Sequence, residues 1–386
     1  MKVTQIYDLM NTVTNELLGK SDVVAEDLSN IVDIGTEIFD NTSVENYTKT
    51  LVDHIGRMVF VNRPYVGRVP SVLMDSWEFG AVLEKVTMDI PDAAVNETWD
   101  LTDKQVYEQD TFYKPSVSSK FFSKRVTFEI PVSITDVQVK SAFSSASELN
   151  SFISMIYNAI DKSMRIKTDA LIMRTINNFI GETIHDDYAE TPLTDKSGVK
   201  AVNLLKSYND EFSPSTPLTA EKAINDPDFL RYASLTMSKY IDRLSSLSSL
   251  YNIGGKDRQT PRELLHVVML SDFIRATDVY LQSSTFHDEY TALPNHETVP
   301  CWQGTGQDAS FAHNSYIHIT TASGATIEVG GVLGVMFDRD ALGVSCLNRR
   351  TTTHYNARAE FTNNFNKMDA GYFNDGNENF VVFFIE

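Results

Sequence analysis

The chain has 386 residues, 42% hydrophobic and 11% aromatic, with 33 basic against 52 acidic residues and a formal net charge of −19. That length and apolar content exclude a miniprotein held by staples and exclude global disorder. The negative charge argues against a surface that coats nucleic acid through phosphate contacts, while leaving room for a local basic patch.

Residues 1–66 read as a mixed, partly helical N-terminal arm. Val3, Ile6, Tyr7, Leu9 and Met10 form a short helix-compatible stripe, and Asp22, Glu26, Asp27, Asp33 and Glu37 make the region acidic. Arg63-Pro64-Tyr65 and Arg68-Val69-Pro70 break any longer helix. Two placements stay open: packing on its own domain, or lying on a neighbouring subunit.

Residues 79–135 form a strand-patterned block that reads as a long, two-stranded excursion. Val82, Val86, Met88 and Ile90 share one strand parity, and Val126, Phe128, Ile130, Val132 and Ile134 alternate with polar residues. Pro131 demotes the second run to an edge strand or a bulge. The stretch between them carries Trp99, Tyr107, Phe112, Tyr113, Phe121 and Phe122. An isolated two-stranded excursion is marginal in water and needs another surface to lie on.

The clearest helix spans 147–180. Ser145 or Ser147 caps it, and Leu149, Phe152, Ile153, Ile156, Ile160, Met164 and Leu171 form its stripe, with Gly181 as the expected stop. Beyond it, Val199–Tyr208 and Asp228–Leu250 read as helices, Leu264–Leu270 as a buried strand, and Ser271 as the cap of a helix through Leu281. Residues 285–315 form a long irregular stretch containing Trp302. Strand patterns return at 316–320, 326–329 and 332–337. The apolar run Phe380–Ile385 must be built into a sheet, because its backbone groups need partners.

The chemical motifs are weak. Gly330-Gly331-Val332-Leu333-Gly334 lacks the Gly-Lys-Ser/Thr of a phosphate loop and reads as a tight turn; Gly254-Gly255-Lys256-Asp257 fails likewise. His185-Asp186-Asp187 reads as an acidic loop after a helix end, Asp338-Arg339-Asp340 as an ion pair, and Ser197-Gly198-Val199-Lys200 as a chance match to a serine–lysine spacing without its partner motifs. His287, His296, His313 and His318 show no standard zinc spacing. Cys301 and Cys346 read as free thiols, with a bridge between them as the alternative. The N-terminus lacks the apolar core and cleavage site of a signal peptide. No apolar run reaches the roughly 20 residues of a membrane helix. No catalytic, cofactor-binding or metal-binding residue is assigned. Lone aromatics such as Trp99 and Trp302 read as packing or interface anchors.

The order of elements resembles the major capsid proteins of tailed bacteriophages, whose α+β, HK97-like fold is shared with encapsulin shells. Segments that look like this family are Phe128-Glu129-Ile130-Pro131-Val132-Ser133, the helix Leu149–Ile180, Gly334-Val335-Met336-Phe337-Asp338-Arg339-Asp340-Ala341, Asn356-Ala357-Arg358-Ala359-Glu360-Phe361-Thr362, and Tyr372-Phe373-Asn374-Asp375. The resemblance implies a non-enzymatic shell subunit. Its parts would be an arm at 1–66, an extended loop at 67–135, and a peripheral domain with a spine helix at 136–199. An axial domain would follow at 200–325, with C-terminal strands at 326–386 completing both sheets. It further implies pentamers and hexamers of the same chain, a portal protein, a separate scaffolding protein, a decoration protein, and double-stranded DNA enclosed without sequence-specific binding. The virion would form in the host bacterial cytoplasm. Trp99, Tyr107, Phe112, Tyr113, Phe121, Phe122 and Trp302 are the candidate inter-subunit contacts. An encapsulin-like compartment holding cargo enzymes, or a soluble α/β enzyme, are the alternative readings.

Overall fold

The computed structural model describes residues 3–20, 23–26, 28–42, 44–61, 70–74, 83–91, 93, 98–107, 110–189, 191–282, 296–302, 316–321 and 324–386. Its N-terminal part is helical: α1 (Val3–Leu18), α2 (Ile31–Asn41) and α3 (Val44–Val61). Next come β1 (Leu73–Met74), β2 (Leu83–Met88), β3 (Val117–Phe122), β4 (Arg125–Thr135) and the short α4 (Asp136–Ala142). The long α5 runs Ala146–Tyr188. It is followed by β5 (Ala201–Asn203), α6 (Leu204–Phe212), α7 (Ala220–Ala223), α8 (Pro227–Leu244), β6 (Leu265–Leu270), α9 (Ser271–Gln282) and β7 (Glu297–Val299). The chain closes through β8 (Ile317–Thr320), β9 (Thr326–Val329), β10 (Val332–Asp338), β11 (Leu342–Asn356), β12 (Phe361–Asn374) and β13 (Phe380–Phe384).

Local chemistry sets several of these boundaries. Thr135 opens α4 with a capping box: Gln138 N–H donates to its hydroxyl at 3.3 Å, while Thr135 N–H donates to the Gln138 side chain at 3.1 Å. Ser145 opens α5 by accepting from Glu148 N–H at 3.2 Å. Asp226 accepts from the first two amides of α8, and Pro227 fills its first position. Gly331 turns the chain between β9 and β10 with φ +63°, a left-handed conformation that glycine tolerates without penalty.

Two sheets organise the molecule. One has the order β1-β11-β12-β4, and β4 is its edge, where Pro131 is harmless. The other has the order β5-β13-β10-β6-β7. Its β13 lies between β10, antiparallel, and β5, parallel, with Phe380, Val381, Val382, Phe383 and Phe384 all buried. The expectation that this run is built into a sheet therefore holds. Two ribbons, β2–β3 and β8–β9, stand apart from these sheets.

Helix α5 serves two cores. At 43 residues it is about 65 Å long. Its first half buries Leu149, Phe152, Ile153, Ile156, Ile160 and Met164 against the N-terminal helices, with Tyr47, Ile34 and Val13 in the same cluster. Its second half is buried more nearly all round: Leu171, Ile172, Met173, Ile176, Phe179, Ile180 and Ile184 join the core of the five-stranded sheet. Residues 3–61 thus include three helices packed on their own chain.

Four sequence expectations are corrected. The strand that pairs with β2 is β3, not the run at 126–134, which belongs to the four-stranded sheet. Val199–Tyr208 is a short strand, β5, before a helix that starts at Leu204. The helix beginning near Asp228 ends at Leu244, six residues early. The long helix does not stop at Gly181 but continues to Tyr188. Glycine is there for closeness, since a Cβ at 181 would collide with the side chain of Ile319 on β8. Gly181→Ala gains about 1 kcal/mol of helix propensity and loses about 1–3 kcal/mol to overpacking. We predict a net loss of stability in urea titrations, relieved when Ile319→Ala is added. Equal destabilisation with and without Ile319 would refute that contact as the cause.

Candidate inter-subunit surface

Cross-strand pairing fixes the two faces of the β2–β3 ribbon. Directly opposed residues share a face, so Leu83 with Phe122, Lys85 with Lys120, and Thr87 with Ser118 form one side. Glu84 with Phe121, Val86 with Ser119, and Met88 with Val117 form the other. The charged and polar side is turned toward the protein: Leu83, Lys85 and Thr87 are half-buried and Phe122 is buried. Val86, Met88, Val117 and Phe121 face solvent. The sequence alternation is right, but its apolar parity is the outer one.

Salt links hold the inner face. Lys85 and Lys120 would repel each other as a directly opposed pair. Asp375 lies between them and uses one oxygen for each, Oδ2 to Lys85 at 3.0 Å and Oδ1 to Lys120 at 2.8 Å. Lys85 also donates to Glu378 at 2.6 Å, and Arg258 donates to the same Glu378 oxygen at 3.2 Å. Phe122 packs on Phe373 with ring centroids 5.0 Å apart. Further out, Asp89 pairs with Lys256 at 2.9 Å and accepts from Ser116 at 2.7 Å. Burial pushes the Asp375 carboxyl up, but the Lys120 hydrogen bond, the Lys85 charge and the Asn377 amide outweigh it and hold the group below the usual carboxylate range. Burial pulls Lys85 down, while Glu378 and Asp375 more than restore it and hold its pKa above the usual ammonium range.

Beyond Asp89 the tip is uncovered. Trp99 is 94% exposed, Phe112 84% and Tyr113 85%. Tyr107 is partly exposed, and its hydroxyl accepts from Thr102 N–H at 3.0 Å. Of the large apolar side chains exposed among the described residues, eleven of twenty-two lie between Val86 and Phe121. One tenth of the chain therefore holds half of this surface, a concentration expected of a contact site.

The structure thus gathers Trp99, Tyr107, Phe112, Tyr113 and Phe121 on one projecting element and makes Phe122 its root. Trp302 departs from the expectation. It is fully buried and donates its indole N–H to Val332 O at 2.8 Å, so it is a core residue with no surface to offer. Sequence reasoning missed the outer-face members Val86, Met88, Ile90 and Val117, although their parity was visible. It also missed Asp375, Glu378 and Lys256, for which no local pattern existed.

The weak chemical motifs resolve into structural roles. Lys200 pairs with Asp186 at 2.7 Å and Asp187 at 2.9 Å. Burial lowers its pKa, but these two carboxylates outweigh that and raise it, the opposite of a neutral amine base. His185, Asp186 and Asp187 lie in the last turn of α5 rather than in a loop, and Asp187 accepts from the Lys200 and Ala201 amides. Asp338 makes no ion pair among the described residues; it accepts from Thr260 at 2.8 Å and from Asp340 N–H at 2.9 Å, shaping a turn. His318 faces Glu328 at 2.8 Å. His287 and His313 lie outside the described residues, among which no group of three or more potential ligands could hold a metal. Cys301 and Cys346 form no disulfide with each other. No helix among the described residues is long and apolar enough to cross a membrane.

The ion-pair root gives a pH prediction. Asp375 contributes stability above the unfolded carboxyl value of about 4, which is lost as pH falls through its lower folded value. Lys85 contributes below about 10.4, which is lost as pH rises through its raised folded value. Hydrogen exchange, corrected for intrinsic rates, should show Leu83–Met88 and Val117–Phe122 protected at neutral pH and losing protection at both extremes. Asp375→Asn should speed their exchange at pH 7 about tenfold or more, consistent with roughly 2 kcal/mol for a charge-assisted hydrogen bond. Unchanged exchange in that variant would remove Asp375 from the role.

The family model for the Phi29-like phage major capsid protein matches residues 10–384. The chain is 22% identical over 289 residues to the major capsid protein of Bacillus phage GA-1, covering 74% of this chain and 54% of that protein. It is 24% identical over 180 residues to the major capsid protein of Bacillus phage B103, covering 46% of this chain and 39% of that protein. The chain therefore spans roughly 39–54% of the length of these relatives. Among solved structures, the capsid of Staphylococcus phage Andhra is similar at a TM-score of 0.48 and 8% identity, covering 84% of this chain and 88% of that one. The capsid of Cyanophage P-SCSP1u follows at a TM-score of 0.46 and 12% identity, covering 85% and 92%. Matched by the family model along nearly its whole length, the chain belongs to the Phi29-like phage major capsid protein family.

Proposed function

We propose that this chain is a shell-building subunit with an HK97-like fold, whose ribbon docks by its apolar outer face on a second copy. The carrying observation is the ribbon's inverted polarity: lysines point inward to buried carboxylates, while Val86, Met88, Val117 and Phe121 point outward. A ribbon serving only its own chain would bury its apolar side. Burying such side chains yields about 1.5–3 kcal/mol each at most. Repeated around a closed shell, modest contacts sum to a strong assembly.

Within this reading the copies form pentamers and hexamers, with a portal protein, a separate scaffolding protein and a decoration protein as further partners. The enclosed double-stranded DNA would meet a wall that does not grip it, in keeping with the charge of −19. The reading assigns the chain no catalytic step. Assembly would occur in the host bacterial cytoplasm. The phage family match favours a genome over the cargo enzymes of an encapsulin-like compartment.

Val86→Glu with Met88→Glu tests the reading, because both residues are exposed and touch little of their own chain. Light scattering and negative-stain imaging should show closed particles for the unaltered protein and only small species for the variant, with thermal melting unchanged to within about 0.5 kcal/mol. Replacing residues 98–116 by a short glycine–serine turn should have the same effect. Normal particles from both variants would rule the ribbon out as the connector.

A further inference from the structure

Helices α6 and α8 meet through a group of rings. Tyr208 and Phe212 lie 4.9 Å apart by centroid, Tyr208 and Tyr232 5.5 Å, and Phe212 and Tyr232 5.8 Å. The fully buried Phe229 supports the group from within, 5.6 Å from Tyr208. Phe212 ends α6 and is 56% exposed, so the group is anchored on its inner side and open on its outer one. Three carboxylates act on it. Burial first, then the charges of Asp226 and Asp228, push the Tyr208 hydroxyl above its ordinary value. Burial first, then the Glu211 charge, do the same at Tyr232. Aromatic faces are themselves negative, so rings and acids together make a surface of one sign.

The chain's own cations do not cover this surface. Lys206 is committed to Asp210 at 2.6 Å, and Arg231 to Asp228 at 3.2 Å. Among the described residues no cation lies over the rings of Tyr208, Phe212 or Tyr232. Helix α8 itself shows the filled alternative: Arg243 lies over the ring of Tyr240, three residues before it, at 4.8 Å. Three residues after Tyr232 stands Leu235, exposed and uncharged. A guanidinium is flat and weakly hydrated, so it can lie on a ring while donating to a carboxylate, which a compact ammonium does less well. A second copy would bring the same 52 acids against 33 bases, so charge favours a different, basic protein as the occupant. We propose that Tyr208, Phe212 and Tyr232 are a docking surface for an arginine-bearing segment of a partner protein, whose guanidinium lies on the Phe212 ring and donates to Glu211. This contact goes beyond the shell reading and does not depend on it.

A fluorescein-labelled hexa-arginine peptide, titrated with the purified full-length protein and followed by anisotropy, tests the surface. Hexa-lysine carries the same charge and corrects for the general attraction of a basic peptide to an acidic protein. Hexa-arginine should bind about tenfold tighter than hexa-lysine. Phe212→Leu keeps the charge and much of the apolar bulk but removes the ring face, and should abolish that preference. Glu211→Gln, which leaves the rings in place, should weaken hexa-arginine about threefold. Equal affinity for the two peptides overturns the proposal, and this is also the result expected if a second copy covers the rings. A preference that survives in Phe212→Leu overturns it as well, because the ring would then contribute nothing.

Discussion

Everything else in this molecule is hung on one helix that must satisfy two different surroundings. The first half of α5 presents a single apolar stripe, which suits a surface helix covered on one side by α1, α2 and α3. Its second half carries apolar residues on most faces, which suits a helix running inside an α/β layer. Charges mark the difference: Asp161 and Arg165 pair at 2.8 Å where one side meets water, while Thr175, Asn177 and Thr183 are the polar residues tolerated where it does not. A chain that buries two cores on one rod cannot lose either without exposing half of the other's scaffold.

The ribbon is a second case of local chemistry answering a non-local demand. Two facing lysines would destabilise an isolated hairpin. A single carboxylate from the turn between β12 and β13 converts that repulsion into an attachment. The outcome is an element secured by polarity on one face and left apolar on the other. Its ion-paired inner face and its exposed apolar outer face follow from the same pairing register.

Legibility of this fold in the sequence followed how closely each element's patterning agreed with its burial. The α5 stripe, the edge position of β4 with Pro131, and the buried runs of β6, β10 and β13 were all readable, because local pattern and environment coincide there. The long hairpin of β11 and β12 was not. On β12 the buried face runs through Thr362, Asn364 and Asn366 while Phe361 and Phe365 sit on the half-buried face, so polarity does not track burial there. The helix passing through Gly181 was hidden because the reason for the glycine is Ile319, 138 positions away in sequence. For the candidate surface, five of the seven aromatics chosen by composition do stand on the projecting element. The burial of Trp302 depends on Val332, which no spacing announces. The outward turn of Val86 and Met88 was the deeper miss, since a period-two signal fixes which residues share a face but not which face meets water.

The seat of Asp375 has one mechanical consequence. The turn that carries it joins β12, in the four-stranded sheet, to β13, in the five-stranded sheet. The ribbon is therefore bolted at the junction of the two sheets. Its strands alone reach about 20 Å, so a rotation of about 10° at the junction would carry their outer end some 3–4 Å. The Asp89–Lys256 pair at 2.9 Å opposes that swing, so the outer end moves only when this pair opens.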